Sequence, residues 1–173
     1  MASNVLNSYR YLSTWNPNEK VNVLPKIQVT TAFLQQGDRI LVLQRAKKDS
    51  QHKLWGIPGG KIEKHETPLE GLVREVNEET GLKIATEAFH LLGSALCHTP
   101  CDGTYGLYIF HAIIPDNCHI QINPEEHYAY QWVSIEEFES LNLLTAQREA
   151  YLFVKEKLIF LINFNSIKMV NLC

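Results

Sequence analysis

Between Lys26 and Arg45 the apolar positions come in two short runs, KIQVTTAFLQ (26–35) and ILVLQR (40–45), with QGDR between them. Both runs have strand length and are rich in aliphatic residues, and the interruption is turn chemistry, so the pattern predicts a β-hairpin. Further strands are predicted at AFHLLGSALCH (88–98), YGLYIFHAIIP (105–115) and YAYQWVS (128–134). The period changes after Glu66. Leu69, Leu72, Val73 and Val76 stand at i, i+3, i+4 and i+7, one buried stripe of an amphipathic helix. Both ends of this helix are punctuated. Thr67 suits the N-cap, Pro68 the first helical position, Glu70 completes a Thr-x-x-Glu capping box, and Gly81 is the stop. Two later helices are predicted, SIEEFESL with Ser134 as N-cap and TAQREAYLFVKEKLIFLI with Thr145 as cap. Residues 1 to about 24 read as irregular, AKKDSQHK (46–53) as a polar loop, and LWGIPGGKI (54–62) as short, apolar and glycine-punctuated. Strands and helices interleave, which places the chain in the α/β class, and the hairpin argues against a purely parallel sheet.

Composition narrows the picture. The 173 residues, 45% of them hydrophobic, suit one domain spanning 1–173 with a real core. A net charge of -3 gives no electrostatic case for a nucleic acid polymer or an anionic membrane. No run approaches the roughly 18 apolar residues of a membrane span. The tail LIFLINFNSIKMV comes nearest, but asparagines and a lysine interrupt it. The start lacks the apolar core of a signal peptide, so the expectation is a cytoplasmic protein. Cys97, Cys101, Cys118 and Cys173 are then expected as reduced thiols. CHTPC (97–101) lacks the second ligand pair of a structural zinc site.

Candidate chemistry concentrates on the first helix. Glu75, Glu78 and Glu79 stand at i, i+3 and i+4 and share one face. At about 100° per residue that face lies roughly 120° from the apolar stripe. The helix can therefore pack on a sheet while aiming three carboxylates sideways into a cleft. Like charges at this spacing cost a few tenths of a kcal/mol per pair, so helix stability does not explain them. A solvated acidic face is the plain reading. The sharper one is a metal site: clustered hard oxygen donors suit Mg2+ or Mn2+, and PGG just upstream lets the backbone approach closely. Arg74 can pair with Glu78 at i, i+4, which leaves two acids without a partner.

Gly60, Glu66, Arg74, Glu75, Val76, Glu78, Glu79, Gly81 and Leu82 keep every spacing of a known box, and on them the chain resembles the Nudix hydrolase family. Average residue usage makes that match a roughly one-in-a-billion event at a given start. The wider likeness covers about residues 26–160. The resemblance implies an α/β/α sandwich around a mixed β-sheet, with the box as loop-helix-loop. It implies Mg2+-dependent hydrolysis, with Mn2+ as substitute, of a phosphoanhydride bond in a nucleoside diphosphate linked to another group. By position in the motif, Glu75, Glu78 and Glu79 are metal ligands or base candidates. Glu66 is an auxiliary ligand or structural partner, Arg74 orients a box carboxylate, and the Gly59 carbonyl is the backbone ligand. His65 departs from the pattern, standing where many members have glycine.

INPEEHYAYQWVSIEEF (122–138) is similar to a later part of many members, where an acidic loop precedes a strand carrying an aromatic, here Trp132. Such a loop supplies a further metal ligand or the general base, so Glu125 or Glu126 is a candidate; an ordinary exposed loop is the alternative. His127 is a candidate contact to phosphate or base, or simply a satisfied polar residue. Arg45, fourteen residues before Gly59, is a bidentate phosphate candidate or a surface cation, and Lys61 is a further phosphate candidate. Tyr105, Tyr108 and Tyr130 stack on a base or belong to the core. KLWGIPGGKIEKHETP is close to the nucleoside triphosphate pyrophosphatases of the family. The expected reaction is therefore a (deoxy)nucleoside triphosphate to monophosphate plus pyrophosphate, by a monomer or homodimer. ADP-ribose or nucleotide-sugar hydrolysis is the rival; Pro100 falls further from the box than the proline typical of ADP-ribose hydrolases. A non-catalytic nucleotide-binding module is the rival of another class, which loss of box glutamates would favour.

Overall fold

The computed structural model describes residues 11–14, 25–46, 51–99, 103–144 and 147–170. Its elements in chain order are β1 (Tyr11–Thr14), β2 (Gln28–Gln36), β3 (Arg39–Arg45), β4 (Trp55–Gly56), β5 (Gly59–Lys61), α1 (Pro68–Thr80), a 3-10 turn at Thr86–Ala88, β6 (His90–Thr99), β7 (Gly103–Ile113), β8 (His127–Val133), α2 (Ile135–Ser140) and α3 (Gln147–Val170). The described strands form one sheet in the order β1-β6-β7-β2-β3-β4, with β5 added to β2 and β8 to β3. β2 and β7 run parallel while the other pairs are antiparallel, so the sheet is mixed.

Side chains alternate strictly across this sheet. Ala32 and Leu34 of β2, Leu41 and Leu43 of β3, and Phe110 and Ala112 of β7 share a core with Leu72 and Val76 of α1. Phe33, Ile40, Val42, Leu107 and Ile109, the intervening positions, share the opposite core with Phe138 of α2 and Tyr151, Val154 and Leu158 of α3. Both faces are covered by helices, which makes the α/β/α sandwich. It also explains why these strands read as continuous apolar runs rather than as alternating ones.

β2 is shared in a way that opens the site. It pairs with β3 only at Gln35–Ile40 and Gln36–Arg39, beside the predicted turn. At its other end Val29, Thr30 and Thr31 pair with Lys61, Gly60 and Gly59 of β5. The hairpin strands thus diverge, and the segment that feeds α1 enters between them.

Three expectations change. Residues 1 to about 24 are not wholly irregular, because Tyr11–Thr14 pair with Ala95–His98 of β6. A four-residue strand recruited by an existing edge carries too few positions for a period to be read. LWGIPGGKI divides into β4 and β5 around Ile57 and Pro58, and the last helix runs on to Val170. Thr145, Pro100, Cys101 and Cys173 lie outside the described residues. Cys97 is buried in β6 and Cys118 is half-buried. Among the described residues no helix is long and apolar enough to cross a membrane.

Candidate active site

Helix α1 is fixed at both ends before any function is asked of it. The Glu70 N–H donates to Thr67 Oγ1 at 3.2 Å and the Thr67 N–H donates to the Glu70 carboxylate at 2.7 Å, the reciprocal bonds of a capping box. At the other end Gly81 takes φ +70°, and its N–H reaches the Asn77 carbonyl. The carbonyls of the last turn are satisfied from a distance. Gln121 N–H donates to Thr80 O at 2.8 Å and Asn123 N–H to Glu79 O at 3.3 Å. These two bonds dock the loop before β8 on the end of α1, which carries Glu126 and His127 to the side of Glu79.

The strand β5 approaches from the other direction. Ala32 N–H to Pro58 O and Ile62 N–H to Gln28 O set the ladder, so Gly59 falls at the position not bonded to β2. Its N–H turns to Glu79 Oε2 at 2.9 Å. Gly59 has φ +149°, and a Cβ there would overlap the Thr30 carbonyl. A Cβ at Gly60 would overlap the carboxylate of Glu75. The paired glycines therefore serve the two acids directly.

Arg74 organises the rest. Its Nε and Nη2 grip Glu66 bidentately at 2.7 and 2.9 Å. Nη1 donates to Glu75 at 2.9 Å and to Glu78 at 3.2 Å, and Nη2 also donates to the Lys61 carbonyl at 2.9 Å. The i, i+4 pair is present, but Arg74 does not stop there, and so Glu75 is not left alone. The Glu66 carboxyl is lowered to about 2, first by the Arg74 hydrogen bond and then by the Glu63 amide. Glu75 is pushed up, first by burial; Arg74 opposes, and the charges of Glu79 and Glu78 add to the rise. The Arg74 guanidinium is held protonated more firmly than usual, chiefly by its bond to Glu66.

The three carboxylates of one helical face thus divide. Glu75 and Glu78 go to Arg74, while buried Glu79 faces Gly59 and His127. His127 is itself buried, with Nε2 3.0 Å from Glu79 Oε1. Glu126 is exposed and accepts from Asn123 Nδ2 at 2.9 Å; Glu125 donates its N–H to Asn123 Oδ1 at 3.1 Å. Arg45 is half-buried at the end of β3, opposite His127 in the register, so the fold brings it beside the site. Lys61 has an exposed side chain and contributes its carbonyl to Arg74. Asn123, which ties both loop glutamates and the Glu79 backbone, was not singled out from the sequence. The Asn-Pro-Glu-Glu turn was a signal that could have found it. A small cavity of about 110 Å³ behind Gly59, lined by Thr31, Tyr105, Leu107, Gln147 and Ala150, had no such signal, because separate elements build it.

The carboxylates here are hard oxygen donors of the kind a divalent cation takes. Glu79 and Glu126 present oxygens within 4.8 Å of each other and of a His127 ring nitrogen, and the Glu75 carboxylate occupies the space that Gly60 leaves free.

Known proteins share this fold and parts of this sequence. The family model described as NUDIX domain matches residues 25–155. The chain is 30% identical over 111 residues to the CTP pyrophosphohydrolase of Escherichia coli (strain K12), covering 64% of this chain and 78% of that one. It is 41% identical over 59 residues to the 8-oxo-dGDP phosphatase NUDT18 of Homo sapiens, covering 34% of this chain and only 18% of that longer protein. The NUDIX domain of Shewanella oneidensis NrtR, in a cocrystal structure with ADP ribose, superposes with a TM-score of 0.65 at 17% identity, covering 83% of this chain and 94% of that one. At that identity the likeness is one of fold.

Proposed function

Because this chain belongs to the NUDIX domain family and its relatives are hydrolases of that family, we propose that it hydrolyses (deoxy)nucleoside triphosphates to the monophosphate and pyrophosphate with Mg2+, or with Mn2+ in its place. The observation that carries the proposal is the convergence of α1, β5 and the loop before β8 on one set of acids, each acid held by a defined donor. The E. coli relative named for CTP pyrophosphohydrolysis supports the triphosphate reading.

In this reading Glu75, Glu78, Glu79 and the Gly59 carbonyl hold the metal. A bound divalent ion supplies charge neutralisation on the phosphate oxygens and acidifies a water. Glu126, exposed and with its carboxylate held by Asn123 Nδ2, is the proton acceptor for that water. Glu66 acts as the structural partner of Arg74, since both of its oxygens are engaged. Arg45 and Lys61 meet the phosphates. The nucleobase is assigned to the cavity behind Gly59, which Tyr105 and Gln147 line.

The test is a Mg2+-supplemented panel of canonical and oxidised nucleoside triphosphates, ADP-ribose and nucleotide sugars, with products separated by chromatography. Monophosphate plus pyrophosphate from a triphosphate is the expected result. Cleavage confined to the diphosphate-linked compounds would overturn the triphosphate assignment and leave the metal chemistry standing.

A further inference from the structure

Glu79 is the box acid that Arg74 does not grip. Nothing intrinsic orients its carboxylate, because the last torsion of a glutamate is broad and roughly two-fold. Two donors supply the orientation instead: the Gly59 N–H on Oε2 and His127 Nε2 on Oε1. A carboxylate only accepts, so the hydrogen-bond network places a proton on His127 Nε2. Among the described residues the buried Nδ1 has no partner, and the bond this ring makes is on its Nε2 side. His127 is 8% exposed, which leaves its ring little surface to offer a substrate. The same loop also holds the Glu79 backbone through Asn123.

We propose that His127 is a positioning residue whose Nε2–H sets the rotation of the Glu79 carboxylate, and that it does not bind the nucleotide. The inference rests on reading Glu79 as a metal-site acid and replaces the phosphate-or-base role expected from the sequence.

His127→Gln and His127→Asn separate the possibilities. A glutamine amide reaches the place of Nε2, whereas an asparagine amide reaches only the place of Nδ1. Mn2+ binding to the nucleotide-free protein is followed by electron paramagnetic resonance. Steady-state kinetics use whichever nucleotide the panel identifies. His127→Asn is expected to weaken Mn2+ binding and lower kcat by about 10- to 100-fold each, with KM nearly unchanged, the usual scale for losing a group that orients a ligand. His127→Gln is expected to recover most of both. Equal impairment of the two variants would overturn the proposal. So would a rise in KM at constant kcat, which marks a substrate contact, or failure of His127→Gln to fold, which marks a packing role. If the wild type turns over no nucleotide, the functional reading fails while the Mn2+ series still decides the positioning role.

Discussion

A single guanidinium reconciles most of the like charges around α1. Arg74 bonds Glu66, Glu75, Glu78 and the Lys61 carbonyl at once, a pattern that needs a planar fork. Arg74→Lys keeps the charge and loses the fork, so kcat should fall at least about tenfold in steady-state assays, with lower thermal stability. Glu79→Gln should cut turnover by orders of magnitude while the circular dichroism spectrum stays native, because charge at the site is lost and packing is not. A folded variant with full activity would remove Glu79 from the metal site. Strain is the other residue-scale effect. His65 has φ +78°, in the left-handed region where glycine is at ease. His65→Gly should therefore raise stability by about 0.5–1 kcal/mol in urea unfolding, less than the full left-handed penalty because glycine gains freedom in the unfolded chain.

At the scale of elements, α1 was legible almost whole. Its cap, first-turn proline, buried stripe and glycine stop act through neighbours within four residues, and each stands where the spacing put it. Thr67→Ala should cost about 1 kcal/mol in chemical denaturation through loss of one half of the capping box. β5 behaves differently. Its glycines are spaced by the needs of other elements, and Gly60→Ala drives a methyl into the end of the Glu75 side chain. A side-chain terminus can give way, so this variant should lose far more activity than stability. β1 was missed for the matching reason: its four residues acquire their conformation from the edge of β6.

On the scale of the whole molecule, the sheet buries polar groups that only their partners make tolerable. His111 of β7 is buried, with Nε2 2.7 Å from Gln35 Oε1, while Gln35 donates its amide to the Gly37 carbonyl. Burial, and secondarily the charge of His90, lowers the His111 imidazole from 6.5 to about 4. Between those values the unfolded chain binds a proton that the native protein refuses, so stability falls as pH drops from about 6.5 toward 4. The ceiling on this effect is on the order of 3 kcal/mol. Urea midpoints from pH 7.5 to 4.5 should show the decline, and His111→Gln should flatten it. A wild-type slope no steeper than that of His111→Gln would show that His111 titrates alike in both states.

The sequence by itself determined the secondary elements that rest on short-range periods and the box whose spacing lies within one loop and one helix. The two continuous apolar strands, the amphipathic face of α1 and the i, i+3, i+4 acids all follow from geometry repeated over a few residues. The tertiary structure alone decided what Glu79 meets. Glu79 meets Gly59 across 20 positions of chain and His127 across 48, and the cavity behind Gly59 joins β2, β5, β7 and α3. No period links such residues. Their meeting depends on β2 and β3 diverging and on the loop before β8 binding the end of α1. Those contacts exist only once the sheet has formed and both of its faces are covered.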